Sequence, residues 1–209
     1  MLDFDRSNFL RFLNEFPAQL TRARELVKAV QPRLEVSRIR NVVFAGMGGS
    51  AISGDLFMAY TLDELPYPAQ VNREYTIPAY VDPGTLFFAT SYSGNTEETL
   101  SATRLALERG AQVVCISSGG ELEKFSQSNG LLHIKIPGGL PPRQALGYLF
   151  FPVLFLCERI GMIRSREADV QETAQLLNEL QRRFNPNASQ GRNLPNHIAQ
   201  SLYQSIPVI

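Results

Sequence analysis

The sequence holds only two cysteines and two histidines, and it has no surplus charge, since twenty basic side chains balance twenty acidic ones. Each scarcity excludes something. Without a net charge there is no global field to gather nucleic acid or an anionic membrane surface, so neither partner is expected. Two isolated histidines and two separated cysteines lack the spacing of metal ligands, and no metal site is expected. Cys115 and Cys157 each lie inside an apolar run. They are expected to be reduced core thiols of a cytoplasmic protein rather than a disulfide. The opening MLDFDRSNFL lacks a basic stretch followed by an apolar one, so no export signal is expected. The longest apolar stretch, ALGYLFFPVLFLC (145–157), is shorter than the ~20 residues of a spanning helix and contains Pro152, so it reads as a buried helix.

What is present is a change of period. Through the first forty residues, Phe9, Leu10, Phe12, Leu13, Phe16 and Leu20 repeat at helical spacing, and Pro17 is expected to kink or divide that segment. Then come short β-branched runs, NVVFAG (41–46), TLFFATS (85–91), QVVCISS (112–118) and LLHIKIP (131–137), with AQVNREY (69–75) as a weaker alternating strand. Helical segments at 50–60, 96–109 and 120–127 separate them. Strand and helix in alternation predict an α/β fold with a parallel five-stranded sheet flanked by helices and wound by right-handed crossovers. After Pro141–Pro142 the pattern is helical: 143–160 closing at Gly161, then EADVQETAQLLNELQRRF, a turn-rich 185–191, and LPNHIAQSLYQ. The final SIPVI (205–209) reads as the opening strand of a further α/β unit.

Two loops carry the chemistry. GMGGSAISGD (46–55) follows the first buried strand and SYSGNTEE (91–98) follows another, each running straight into a helix. Ligands of open parallel sheets collect at such strand ends. Glycine lets a ligand approach the main chain, and the helix's first N–H groups favour an anion. Ser50, Ser91, Ser93 and Thr96 add hydroxyl donors, a set suited to a phosphate monoester. Plain helix capping is the competing reading, with Asn95 and Glu98 spaced as a capping box, but two such loops favour a ligand. The first loop lacks the GxGxxG register of a dinucleotide site.

GMGGSAISGD, SYSGNTEETL, ISSGGELEKF and LPPRQALGYLFFPVL together resemble the sugar isomerase (SIS) domain superfamily, and within it the bifunctional phosphoglucose/phosphomannose isomerases. The resemblance is strong over about 40–160. It implies a flavodoxin-like three-layer sandwich and an aldose–ketose isomerase interconverting glucose 6-phosphate or mannose 6-phosphate with fructose 6-phosphate through a cis-enediol. It implies no cofactor, and it implies a homodimer. By motif, the family's sugar-phosphate contacts fall on Gly49, Ser50, Ser91, Ser93 and Thr96, and its enediolate-stabilising arginine falls on Arg143. The family's glutamate base, its histidine and its lysine fall beyond residue 209. The implied organisation is a helical segment (1–40), a SIS domain (41–162), a helical linker (163–204) and the first strand of a second SIS domain (205–209). This chain alone is then expected to be inactive. A sugar-phosphate-binding module without catalysis stays open as the alternative. An amidotransferase-type domain is weaker, since no N-terminal cysteine nucleophile is present.

Other polar residues receive bland readings. Glu97, Glu98 and Asp55 sit in first or second helical turns, where a solvated or capping carboxylate is expected rather than a base. His133 is expected as a satisfied, half-buried strand histidine, and Tyr92 as packing. His197 lies on the last helix, where a contact with a partner subunit is the lesser expectation.

Overall fold

Five short runs become the strands of one sheet: β1 (Asn41–Ala45), β2 (Ala69–Asn72), β3 (Thr85–Thr90), β4 (Gln112–Ser117) and β5 (Leu132–Lys135). The computed structural model describes residues 5–185 and 193–206. Every pairing is parallel and the order is β2-β1-β3-β4-β5. All six residues of β3 are buried, as a central strand covered on both faces requires. The order reverses between β1 and β3, so the C-terminal ends of those strands, in register as Ala45 with Ala89, flank a topological switch point.

The helices are α1 (Phe9–Ala29), α2 (Gly48–Tyr60), α3 (Glu97–Glu108), α4 (Gly120–Ser128), α5 (Leu146–Arg159), α6 (Glu167–Arg183) and α7 (Leu194–Leu202). Successive strand residues point to opposite faces. Val43, Phe87, Ala89 and Cys115 pack with Leu100, Ala102 and Ala106 of α3 and Leu122 of α4. On the other face, Phe44 stacks on Phe88 at 5.3 Å between centroids and meets Phe57 of α2 at 5.4 Å. Cys115 and Cys157 are both fully buried free thiols.

α2 approaches β1 and β2 through Gly54, where a Cβ would lie 2.6 Å from Phe44 Cβ and 3.0 Å from Val71 Cγ2. Gly54→Ala is expected to destabilise the protein by about 1–3 kcal/mol through overpacking. The urea midpoint should fall with an unchanged slope. An unshifted midpoint would contradict that close contact.

The chain divides into two compact units within α1, one holding Ala18–Arg166 and the other the residues up to Pro17 with those from Glu167 onward. Of the two outcomes expected at Pro17, a division is not seen: α1 runs unbroken through it. Proline removes the N–H that would bond to the carbonyl four residues back. In the smaller unit that carbonyl, Leu13 O, accepts instead from Gln181 Nε2 of α6 at 3.0 Å, and the same amide reaches Asn14 O. The apolar run at 143–160 splits into a 3-10 turn (Pro142–Ala145) and α5, which carries Pro152 inside and closes with Gly161 N–H donating to Glu158 O. Asn193 Oδ1 caps α7 by accepting from Asn196 N–H. Ser205 and Ile206 form no strand, and Pro207–Ile209 of the expected strand lie outside the described residues. Among the described residues no helix is long and apolar enough to cross a membrane.

Candidate functional site

The loops after β1 and β3 meet. Tyr92 N–H donates to Ser50 Oγ at 3.3 Å, across 42 residues of sequence. The loop after β4 joins them: Ser118 Oγ donates to Tyr92 O at 2.7 Å, and Leu122 N–H donates to Gly94 O at 2.9 Å. Gly94 has φ +74°, and a Cβ there would stand 1.8 Å from Gly119 O, so the two loops touch main chain to main chain. The turn Pro142–Ala145 comes up beside the start of α2, its Pro142 carbonyl 3.7 Å from where a Gly49 Cβ would be.

The hydroxyls share one feature. Each that accepts a main-chain N–H has committed a lone pair and keeps its proton to donate elsewhere. Ser50 Oγ accepts from Tyr92 N–H, and Ser93 Oγ accepts from Asn95 N–H at 3.2 Å. Ser91 Oγ accepts from Gly94 N–H at 3.1 Å and is 2.8 Å from Thr96 Oγ1. One of that pair donates to the other, which leaves a single proton free between them. Ser93 is exposed, while Ser91 is buried and braces the loop from inside. α3 starts with Thr96 as its N-cap residue, yet the Thr96 side chain makes no capping hydrogen bond. The N–H groups opening α2 and α3 have no partner within their own helices, as at every helix start. The corner is therefore rich in donors and suits a ligand that only accepts.

Arg143 stands exposed on the 3-10 turn and has no hydrogen bond or ion pair among the described residues. Two of the three singled-out carboxylates have partners. Asp55 pairs with Arg73, and Glu97 accepts from the Tyr75 hydroxyl at 3.4 Å. The Tyr75 phenol is held above its ordinary pKa by the Glu98 carboxylate first, then by desolvation and Glu97. The Asn95–Glu98 capping box of the competing reading is absent. Asn95 Oδ1 accepts instead from Glu121 N–H at 2.9 Å, in the first turn of α4. The neighbouring helix supplies a free N–H, which a glance along one helix could not reveal.

Tyr92 is packing, as expected, and also a strut: its hydroxyl donates to Pro137 O at 3.2 Å and accepts from Leu140 N–H at 2.7 Å. This fixes the approach to the Arg143 turn. His133 is half-buried with Nε2 2.9 Å from Ser117 Oγ, and burial pushes its pKa down. His197 is exposed on α7. Among the described residues no three His, Cys, Asp or Glu side chains come together in a metal-ligating group.

Gln19 was missed by the sequence reading. It is buried on α1 and bonds to the start of α5. Its signal was a polar residue in register with the apolar stripe of Phe12, Ala23 and Val27.

Residues 35–134 match the SIS domain family. A bifunctional phosphoglucose/phosphomannose isomerase from Caldicellulosiruptor bescii is 42% identical over 193 residues, covering 92% of this chain and 57% of that protein. One of the same name from Thermoplasma acidophilum is 42% identical over 171 residues, covering 81% and 49%. The chain spans about half the length of the curated relatives it matches. A solved hypothetical protein from Thermus thermophilus shares the fold at a TM-score of 0.66 and 20% identity, covering 96% of this chain and 49% of its own.

Proposed function

This chain belongs to the SIS domain family, and from that premise we propose that it supplies the phosphate-binding half of a sugar-phosphate isomerase site. The reaction we assign is the interconversion of glucose 6-phosphate or mannose 6-phosphate with fructose 6-phosphate through a cis-enediol, in the cytoplasm and in a homodimer. The organisation that goes with it is a SIS domain over 41–162, a helical linker over 163–204, and a second SIS domain entered at 205–209.

The observation that carries the reading is the set of hydroxyls gathered at the switch point. Ser50 and Ser93 each spend a lone pair on a main-chain N–H, which leaves the hydroxyl proton available to donate. A phosphate dianion offers three accepting oxygens and no donor, which matches that array. The N–H groups at Gly49 and at the start of α3 add partial positive charge. Arg143, without a partner of its own, is free to face C1 and C2 of the sugar. Its guanidinium would stabilise the enediolate oxygen as charge develops. Moving a proton between C1 and C2 also needs a base and an acid. We assign those to the part of the relatives' length that this chain does not span, because Glu97 and Asp55 already have partners and Glu98 lies in the first turn of α3, where a solvated carboxylate is favoured without a catalytic role.

The test is a titration of the chain with fructose 6-phosphate against unphosphorylated fructose; equal affinities would refute the phosphate cradle. Ser93→Ala is expected to weaken fructose 6-phosphate about tenfold, the lower end for a hydrogen bond to a charged group, and to leave fructose unaffected. Unchanged affinity would return Ser93 to a turn-forming role.

A further inference from the structure

α5 begins at Leu146, although the sequence places the start of this helix near 143, directly after the two prolines. The interruption has a visible cause. In an uninterrupted helix the N–H of Tyr148 would bond to the carbonyl of Gln144, four residues earlier. Instead the side chain of Gln19 from α1 stands between them. Its Nε2 donates to Gln144 O at 2.6 Å, and its Oε1 accepts from Tyr148 N–H at 3.3 Å. The amide reproduces the missing bond with itself in the middle, and it is 1% exposed, so it is shielded from bulk solvent. The approach is so close that a Cβ on Gly147 would lie 2.6 Å from Gln19 Oε1. Upstream, Gln144 N–H closes the turn on Pro141 O at 2.8 Å.

We infer that Gln19 is the positioning residue for Arg143: by wedging open the helix between Gln144 and Tyr148, it holds residues 142–145 as a separate 3-10 turn. That turn carries Arg143 beside the start of α2, where Pro142 O lies 3.7 Å from the position of a Gly49 Cβ. With an apolar side chain at 19, the Gln144 carbonyl and the Tyr148 N–H would recover each other. Helix α5 would then extend backward and carry Arg143 to a new bearing, since each residue of α-helix turns the side-chain direction by about 100°. With glutamine at 19 the wedge is favoured, because the buried Gln19 amide must itself find partners and takes them from Gln144 O and Tyr148 N–H.

The inference rests on the proposed sugar-phosphate site, and its test separates the two. The probes are fructose 6-phosphate and arabinonate 5-phosphate, whose carboxylate stands where the enediolate oxygens would form. Both engage the phosphate cradle, and only the second calls strongly on Arg143. Gln19→Met is expected to weaken arabinonate 5-phosphate by about five- to tenfold relative to fructose 6-phosphate, and to have no such effect in an Arg143→Ala background. A purely structural glutamine would lower the melting temperature and leave the ratio of the two affinities unchanged, which would overturn the positioning role alone. A wild-type chain that does not prefer fructose 6-phosphate over fructose would overturn both readings. Gln19→Leu likewise removes both amide groups and carries the same comparison if Gln19→Met does not fold.

Discussion

Replacing Gly94 by alanine is expected to abolish detectable binding of fructose 6-phosphate and to lower the melting temperature by about 10 °C. Two penalties combine. The residue has φ +74°, a conformation that costs an L side chain roughly 1–2 kcal/mol. The new methyl would also stand 1.8 Å from Gly119 O and 2.8 Å from Gly119 C. Both are main-chain atoms with no flexible tip to bend aside, so the loops after β3 and β4 must part. Parting them stretches Leu122 N–H from Gly94 O and Glu121 N–H from Asn95 Oδ1, which together hold the two loops in place. Gly130→Ala separates the two penalties, because Gly130 has φ +64° with nothing within 4 Å of its would-be Cβ. Its loss should stop at about 1–2 kcal/mol, and binding should survive. Equal thermal shifts for the two variants would mean that the loops are not in contact.

Arg143→Ala is expected to lower kcat by roughly 10²- to 10³-fold, assayed with the polypeptide extended to the length of its relatives. The expectation is clean because the side chain is exposed and has no partner among the described residues, so its removal should change stability by less than about 0.5 kcal/mol. Affinity for fructose 6-phosphate should fall far less than kcat, since the phosphate is held elsewhere. Lysine should rescue little, because its point charge lacks the planar two-pronged donor set of guanidinium. A variant with wild-type kcat would remove Arg143 from the chemistry and leave the cradle untouched.

The strands were legible because a run buried on both faces, such as TLFFAT, can be little else in an alternating α/β pattern. That the strands run parallel follows from that alternation, whereas their order, with the reversal between β1 and β3, came from the fold. What escaped was long-range. Asn95 lies where a helix cap belongs, and its partner Glu121 is 26 residues away. Pro17 carries a local signal for a break, and Gln181, far along the chain, supplies the donor that proline lacks. Gln19 looks like one more polar residue on a surface helix until α5 is placed beside it. In each case a side-chain amide bonds main-chain groups distant in sequence, and neither period nor composition records such a bond. The hydroxyl-rich loops were visible as candidates, whereas the main-chain N–H that each serine hydroxyl accepts depended on the fold.

The two sulfur atoms offer a way to watch the molecule open. Cys115 is embedded in β4, where burial pushes its thiol up to about 12, and Cys157 is embedded in α5, where burial raises it further. Neither can form the thiolate that alkylating reagents attack while its surroundings stay closed. Labelling of this chain under native conditions therefore counts excursions rather than exposures. Resolving the two sites by mass spectrometry would show whether strand and helix are released in a single event or one before the other.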